Sequence, residues 1–120
     1  MIDQDEKVIR EVVKYYFIGT YNGDAKQVQQ AFHPQARIVG NINGETFDLS
    51  LSDFIARVTA TPTAAAKGEK YDKEILLVDK TGDVAIVKAR VVIGPYVFTD
   101  YITLLKIAGK WVIRHKSFST

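Results

Sequence analysis

Asp100 lies in the run "YVFTDYITLLKI" (96–107), where strand alternation puts its side chain on one face with Phe98, Ile102 and Leu104. An aspartate among such neighbours has its charged form disfavoured. Its pKa is expected to rise, which makes it either a hydrogen-bond donor or an acid/base. The competing reading is a sheet-edge aspartate paired with Lys88 or Arg90. His115, in "KWVIRHKSF" (110–118), shares parity with Trp111 and Ile113 and is thereby aimed at the same interior, where an imidazole would shuttle protons near neutral pH. Otherwise it belongs to the outer face of the sheet or to an interface. Tyr15 and Tyr16 are consecutive on a helical pattern and cannot both face inward; an inward tyrosine serves as core as readily as it serves a reaction. His33, just before Pro34, would hydrogen-bond backbone or touch a ligand. Arg90 would bind an anionic ligand or stay solvated at a rim. The two histidines are separated by most of the chain, and no His-x-His or carboxylate cluster stands at ligand spacing, so no metal is expected. "NGDA" and "AGK" are turns rather than phosphate-binding loops.

The elements that would position these groups are legible from periodicity. From Asp3 to Tyr21 the apolar residues Val8, Ile9, Val12, Val13, Tyr16 and Phe17 recur at three-to-four spacing, an amphipathic helix. It stops at "YNGD", where Gly23 can take the left-handed conformation and Asp24 can cap a second helix. Val28, Ala31 and Phe32 give that helix its core face, and Pro34 ends it. "ARIVG" reads as a short strand and "NINGETFDL" as an Asn-Gly turn with a brief hairpin. Ser50 precedes a third helix over 51–59, with Asp53 completing a capping pattern. "ATPTAAAKGEK" lacks apolar periodicity and reads as a flexible loop, either a lid or a tether.

The second half is β-branched and aromatic, in four runs separated by "TGD", "GP" and "AGK", which implies four antiparallel strands joined by short turns. Ala85, Val87, Ala89, Val91 and Ile93 form an apolar row that should face the helices. On the next strand both rows are largely apolar, so both faces should be covered, the outer one by a second subunit. The order of elements predicts one α+β domain, residues 1–120, with its sheet packed on segregated helices.

Composition narrows the function classes. Sixteen basic residues against fourteen acidic ones, scattered along the chain, give no footprint for nucleic acid. The chain has no cysteine, which removes disulfides and thiolate chemistry and fits a reducing compartment. The acidic, polar start "MIDQDEKVIR" is unlike a signal peptide, and no apolar span is long enough for a bilayer, so a cytoplasmic location without membrane contact is expected.

The stretches "YYFIGTYNGDAKQVQQAFHPQARIVG" (15–40), "LSLSDFIARV" (49–58), "TGDVAIVKARV" (81–91) and "FTDYITLLKIAGKWVIRHKSF" (98–118) resemble, in order, the nuclear transport factor 2-like superfamily and most closely its lumazine-binding and polyketide-cyclase-like branch. The resemblance implies a cone of strongly bent antiparallel sheet wrapped round three helices, a mostly apolar internal cavity, and homodimers formed through the sheet. It implies no single activity, because the fold hosts isomerases, dehydratases, cyclases and non-catalytic association domains. Tyr16 falls seven residues before the glycine of the helix corner, as does the oxyanion-binding tyrosine of the steroid isomerases that this superfamily contains. Their general-base aspartate has no counterpart here, since Val39 or Gly40 stands at the equivalent place. The expectation is therefore a pocket for a small apolar or cyclic ligand, lined by Tyr16, Phe98, Asp100, Trp111 and His115, with no cofactor. The alternatives are a cofactor-independent isomerase, cyclase or dehydratase in which Asp100 and His115 exchange protons while Tyr16 stabilises an oxyanion, and a non-catalytic association module.

Overall fold

The structure, a computed structural model, describes residues 3–120. Helix α1 (Gln4–Asn22) begins at Asp3, whose side chain accepts the Glu6 backbone N–H at 2.7 Å, and ends at Gly23, which adopts φ 66°. That left-handed residue is the one the corner requires. Asp24 then caps helix α2 (Ala25–Ala31) by accepting the Gln27 N–H at 3.1 Å.

Helix α2 is shorter than Pro34 alone implies. Phe32 already has extended dihedrals of −109° and 147°, and strand β1 (Phe32–Ile42) starts there. Phe32 is still buried, so its place in the core survives the change from helix to strand. A turn through Asn43 and Gly44, both at positive φ, leads to strand β2 (Glu45–Ser50) and completes the hairpin. Ser50 caps helix α3 (Leu51–Val58) through the Asp53 N–H at 3.1 Å.

The segment after α3 is tied down rather than free. The Ala65 N–H donates to the Tyr21 carbonyl at 3.0 Å, and the Tyr21 hydroxyl donates to the Glu69 carbonyl. Strands β3 (Lys73–Thr81), β4 (Val84–Ile93), β5 (Tyr96–Ile107) and β6 (Lys110–Ser119) follow as an antiparallel meander.

The six strands form one sheet in the order β2-β1-β6-β5-β4-β3. Contrary to a purely antiparallel expectation, the β1–β6 pair is parallel. These two strands are joined by most of the chain rather than by a hairpin, so no short turn constrains their direction. The inner face carries Ala85, Val87, Ala89 and Val91 of β4, Ile102 and Leu104 of β5 and Ile113 of β6, all buried with Ile9, Val12, Val13 and Phe17 of α1 in one core. Each of the larger ones, valine, isoleucine, leucine or phenylalanine, contributes roughly 1.5–3 kcal/mol by leaving water. Ile93, at the end of its row, is exposed.

One irregularity governs the site. Thr103 pairs with His115 but Leu104 pairs with Ile113, which leaves Arg114 as an extra residue in β6. A bulge of this kind shifts the strand's alternation by one. Before it Trp111 and Ile113 face the core; beyond it Lys116 and Phe118 do, opposite Ile102 and Asp100.

Candidate functional site

Tyr16 from α1, Asp100 from β5 and Lys116 from β6 meet under the helices, with 3%, 1% and 5% of their surfaces exposed. The Tyr16 hydroxyl donates to Asp100 Oδ2 at 2.7 Å and accepts from Lys116 Nζ at 2.8 Å. Lys116 Nζ stands 4.0 Å from the same carboxyl oxygen. It also lies 4.5 Å from the ring centre of Tyr16, 4.6 Å from that of Phe54 and 5.3 Å from that of Phe118. Aromatic faces stabilise an ammonium through their quadrupoles, and more strongly where water is excluded.

Burial and the adjacent Asp100 hold the Tyr16 hydroxyl well above the ordinary phenol value. Burial pulls the Lys116 amine down, with Asp100 acting against it. Lys73, at the start of β3, is brought down to about 8 by burial and by the charge of Lys116, while Asp100 and Glu69 oppose the shift.

The triad forms the polar end of a pocket of about 330 Å³. Two inner rows of the sheet supply its floor: Asp100, Phe118 and Phe47, in register with Gly40 across β5, β6, β1 and β2, and Lys116, Ile38 and Leu49 beside them, in register with Ile102. Phe54 and Val58 of α3 wall one side, and Val91, Ile93 and Phe98 the other. Arg57 reaches the pocket with its guanidinium 5.1 Å from the centre of the Phe47 ring.

Hydrogen-bond capacity decides what the polar end can offer. The Tyr16 hydroxyl spends its proton on Asp100 and a lone pair on Lys116. The remaining capacity lies in Asp100 Oδ1 and the other protons of Lys116, an acceptor beside a donor.

Of the sequence-predicted residues, Tyr16, Phe98 and Asp100 line this pocket, and Trp111 and His115 do not. Trp111 is buried before the bulge, beside Val8, Val12 and Tyr15. His115 falls on the outer face, paired with Thr103 and Arg37 and 3.5 Å from the Ser117 hydroxyl, because the bulge reverses the parity that aimed it inward. Asp100 is not an edge residue: Arg90 binds Asp72 at 2.9 Å and Glu74 at 3.1 Å, and Lys88 lies over Tyr101. His33 accepts the Gln35 backbone N–H at 3.0 Å.

Simple alternation does not single out Lys116, although β6 holds a trace of it. Phe118 is out of phase with Trp111 and Ile113, and an apolar residue off the alternation is the sequence signature of a bulge between them. Gly40, one of the two positions, with Val39, at which the resemblance would put a general base, is on the inner face between Phe47 and Phe118. A methyl group there would run into the Phe118 carbonyl oxygen and ring. The structure thus gives that position to an aromatic neighbour. Among the described residues no cluster of three histidine, aspartate or glutamate side chains is placed to hold a metal, and no helix is long and apolar enough to cross a membrane.

The model of a family described as "Putative lumazine-binding" matches residues 4–119. The chain belongs to this lumazine-binding-like family. An aldolase, FrzH, from a Cladobotryum species is 32% identical over 98 residues, covering 80% of this chain and 75% of that protein. Among solved structures, an NTF-2 like protein of unknown function from Silicibacter pomeroyi superposes with a TM-score of 0.80 at 23% identity, over 98% of both chains. A ketosteroid isomerase-like protein from Erwinia carotovora gives a TM-score of 0.71 at 16% identity, over 98% of this chain and 97% of that one. At these identities the structural likenesses establish the α+β cone fold of the nuclear transport factor 2-like proteins, and the family points to ligand binding.

Proposed function

We propose that the chain binds a small, largely apolar or cyclic molecule in the pocket between α3 and the sheet, with the ligand's polar end against Asp100 and Lys116. The observation that carries this reading is an apolar pocket of about 330 Å³ closed at one end by the buried Tyr16–Asp100–Lys116 triad. Apolar walls with a few convergent polar groups are the usual composition of a small-molecule site. An adjacent donor and acceptor suit a ligand that carries both, such as a cyclic amide of the lumazine type or a hydroxy-carbonyl compound.

Native mass spectrometry of freshly purified protein should show a retained small molecule or, after titration, a one-to-one complex with lumazine or a cyclic hydroxy-ketone. Asp100→Asn and Lys116→Met should each weaken that complex by about tenfold to a hundredfold, the worth of a hydrogen bond to a charged group. Unchanged affinity in both variants would overturn the reading.

A second reading has an observation of its own. A buried tyrosine, carboxyl and amine in one hydrogen-bonded chain are the parts of an acid/base site, and a relative is an aldolase. A cofactor-independent isomerase, cyclase or dehydratase of carbonyl compounds would use Lys116 as the donor to a developing oxyanion, Asp100 as the proton acceptor, and Tyr16 to hold the two in place. Turnover with a pH optimum would support it; binding without turnover leaves the first reading alone.

The outer face of the sheet exposes Val84, Ile86, Val97 and Tyr101, a patch suited to a second copy of the chain, and the proposed form is a homodimer in the cytoplasm.

A further inference from the structure

We propose that Lys116 is a nucleophilic amine that captures an aldehyde or ketone with an apolar body as an imine inside the pocket. The inference rests on the pocket accepting such a ligand, as proposed above, and adds the carbonyl as the group recognised and the bond by which it is held.

Lys116 is the amine at the polar end of the apolar pocket, on the inner face of β6 beyond the Arg114 bulge. Its neighbours are the hydroxyl of Tyr16 at 2.8 Å, the Asp100 carboxyl at 4.0 Å, and the rings of Tyr16, Phe54 and Phe118. A lysine desolvated in this way holds its proton less tightly, and its free amine is the form that attacks carbonyl carbon. Burial does lower its affinity for the proton, against the pull of Asp100, and Lys73 brings a second positive charge into the same surroundings.

The step balances without a co-reactant. The Nζ lone pair forms a bond to the carbonyl carbon, and the carbonyl oxygen takes up the proton that the nitrogen gives up. The carbinolamine then loses its hydroxyl with one further N–H proton as water, leaving a C=N bond. The Tyr16 hydroxyl, 2.8 Å from Nζ and bonded in turn to Asp100 Oδ2, forms the hydrogen-bonded chain through which those protons pass. Carbanion-forming chemistry at the neighbouring carbon becomes easier once the imine nitrogen is protonated, so this bond would serve the enzymatic reading as well as capture.

The test uses 2-naphthaldehyde with sodium cyanoborohydride at pH 7, which makes any imine permanent, and 2-naphthalenemethanol as the matching alcohol that cannot form one. The adduct is located by peptide mass mapping, and binding of the alcohol is followed by fluorescence. The expected result is one adduct on Lys116, formed at least about tenfold faster than on any other lysine of the chain, because Lys116 is the lysine that lines the pocket and is held against the bound aldehyde. Labelling of Lys116 should also persist at lower pH than that of the exposed lysines, and Lys116→Met should abolish it. If the alcohol binds but the label is absent from Lys116 or spread over surface lysines, Lys116 is a fixed counter-charge and the proposal falls while the pocket reading stands. If neither compound binds, both fall together. The mapping is done on the unmodified chain, so its outcome does not depend on whether the variant folds.

Discussion

Asp100 and Lys116 are buried side chains of opposite charge 4.0 Å apart, so removing one leaves the other uncompensated. Loss of one partner from a buried pair typically costs about 3–5 kcal/mol. Asp100→Leu should therefore lower the urea-unfolding free energy by about 3 kcal/mol or more, and the double variant Asp100→Leu with Lys116→Met should recover a measurable part of it. The amines also give stability a pH dependence. With Lys73 brought down to about 8 in the folded chain, the unfolded chain binds a proton that the folded chain lacks from about there up to the ordinary value of 10.5. Stability should consequently rise with pH through that window. Lys116, lowered by burial, adds to the same slope. Tyr16 works the other way above 10.0, where only the unfolded chain ionises its phenol. Urea midpoints should thus climb from about pH 8 toward 10, and Lys73→Met should flatten the climb. An unchanged slope in that variant would remove Lys73 as its source.

Strand β6 shows how an element can be read correctly while its faces are not. Its β-branched and aromatic run marks the strand, but the extra Arg114 changes which side chains reach the pocket, so Lys116 replaces His115. Periodicity reports an alternation within one strand; a bulge is defined by the partner's register, which a single strand does not contain. Asp100 was legible because β5 keeps strict alternation through Phe98, Asp100, Ile102 and Leu104. Tyr16 was placed on the apolar face of its helix by spacing, and its distance from Gly23 pointed to a site only through the resemblance to the steroid isomerases. Gly40 belongs to this scale too, since β1 can approach β6 there only without a side chain, against the Phe118 ring and carbonyl. Gly40→Ala should destabilise the fold by about 1–3 kcal/mol, the usual cost of overpacking, measured by thermal or urea unfolding. A neutral result would mean that β1 and β6 can separate at this point. The caps at Asp24 and Ser50 were open to reading beforehand, because they act through bonds only three residues away.

For the whole molecule the undecided surface is the outer face of the sheet. Val97 and Tyr101 are 55% and 51% exposed in the single chain, beside Val84 and Ile86. If two copies pair there, Tyr101→Glu should yield a monomer by size-exclusion chromatography with light scattering, because a charge would be buried without a partner. A native chain that is already monomeric at micromolar concentration would rule the pairing out. By itself the sequence left an interior place and a sheet-edge pair both open for Asp100, but it determined the order of helices and strands, most of their caps and turns, the α+β class and the core face of the first helix. All of these follow from local dihedral preference, short-range hydrogen bonds and the two periods of apolar spacing. Tertiary structure alone decided that β1 runs parallel to β6, that Arg114 is the extra residue, and that Lys116 comes to rest on the Tyr16 hydroxyl from a hundred residues away. Those outcomes depend on pairing between distant segments, where register and packing are settled jointly and neither strand holds the information alone.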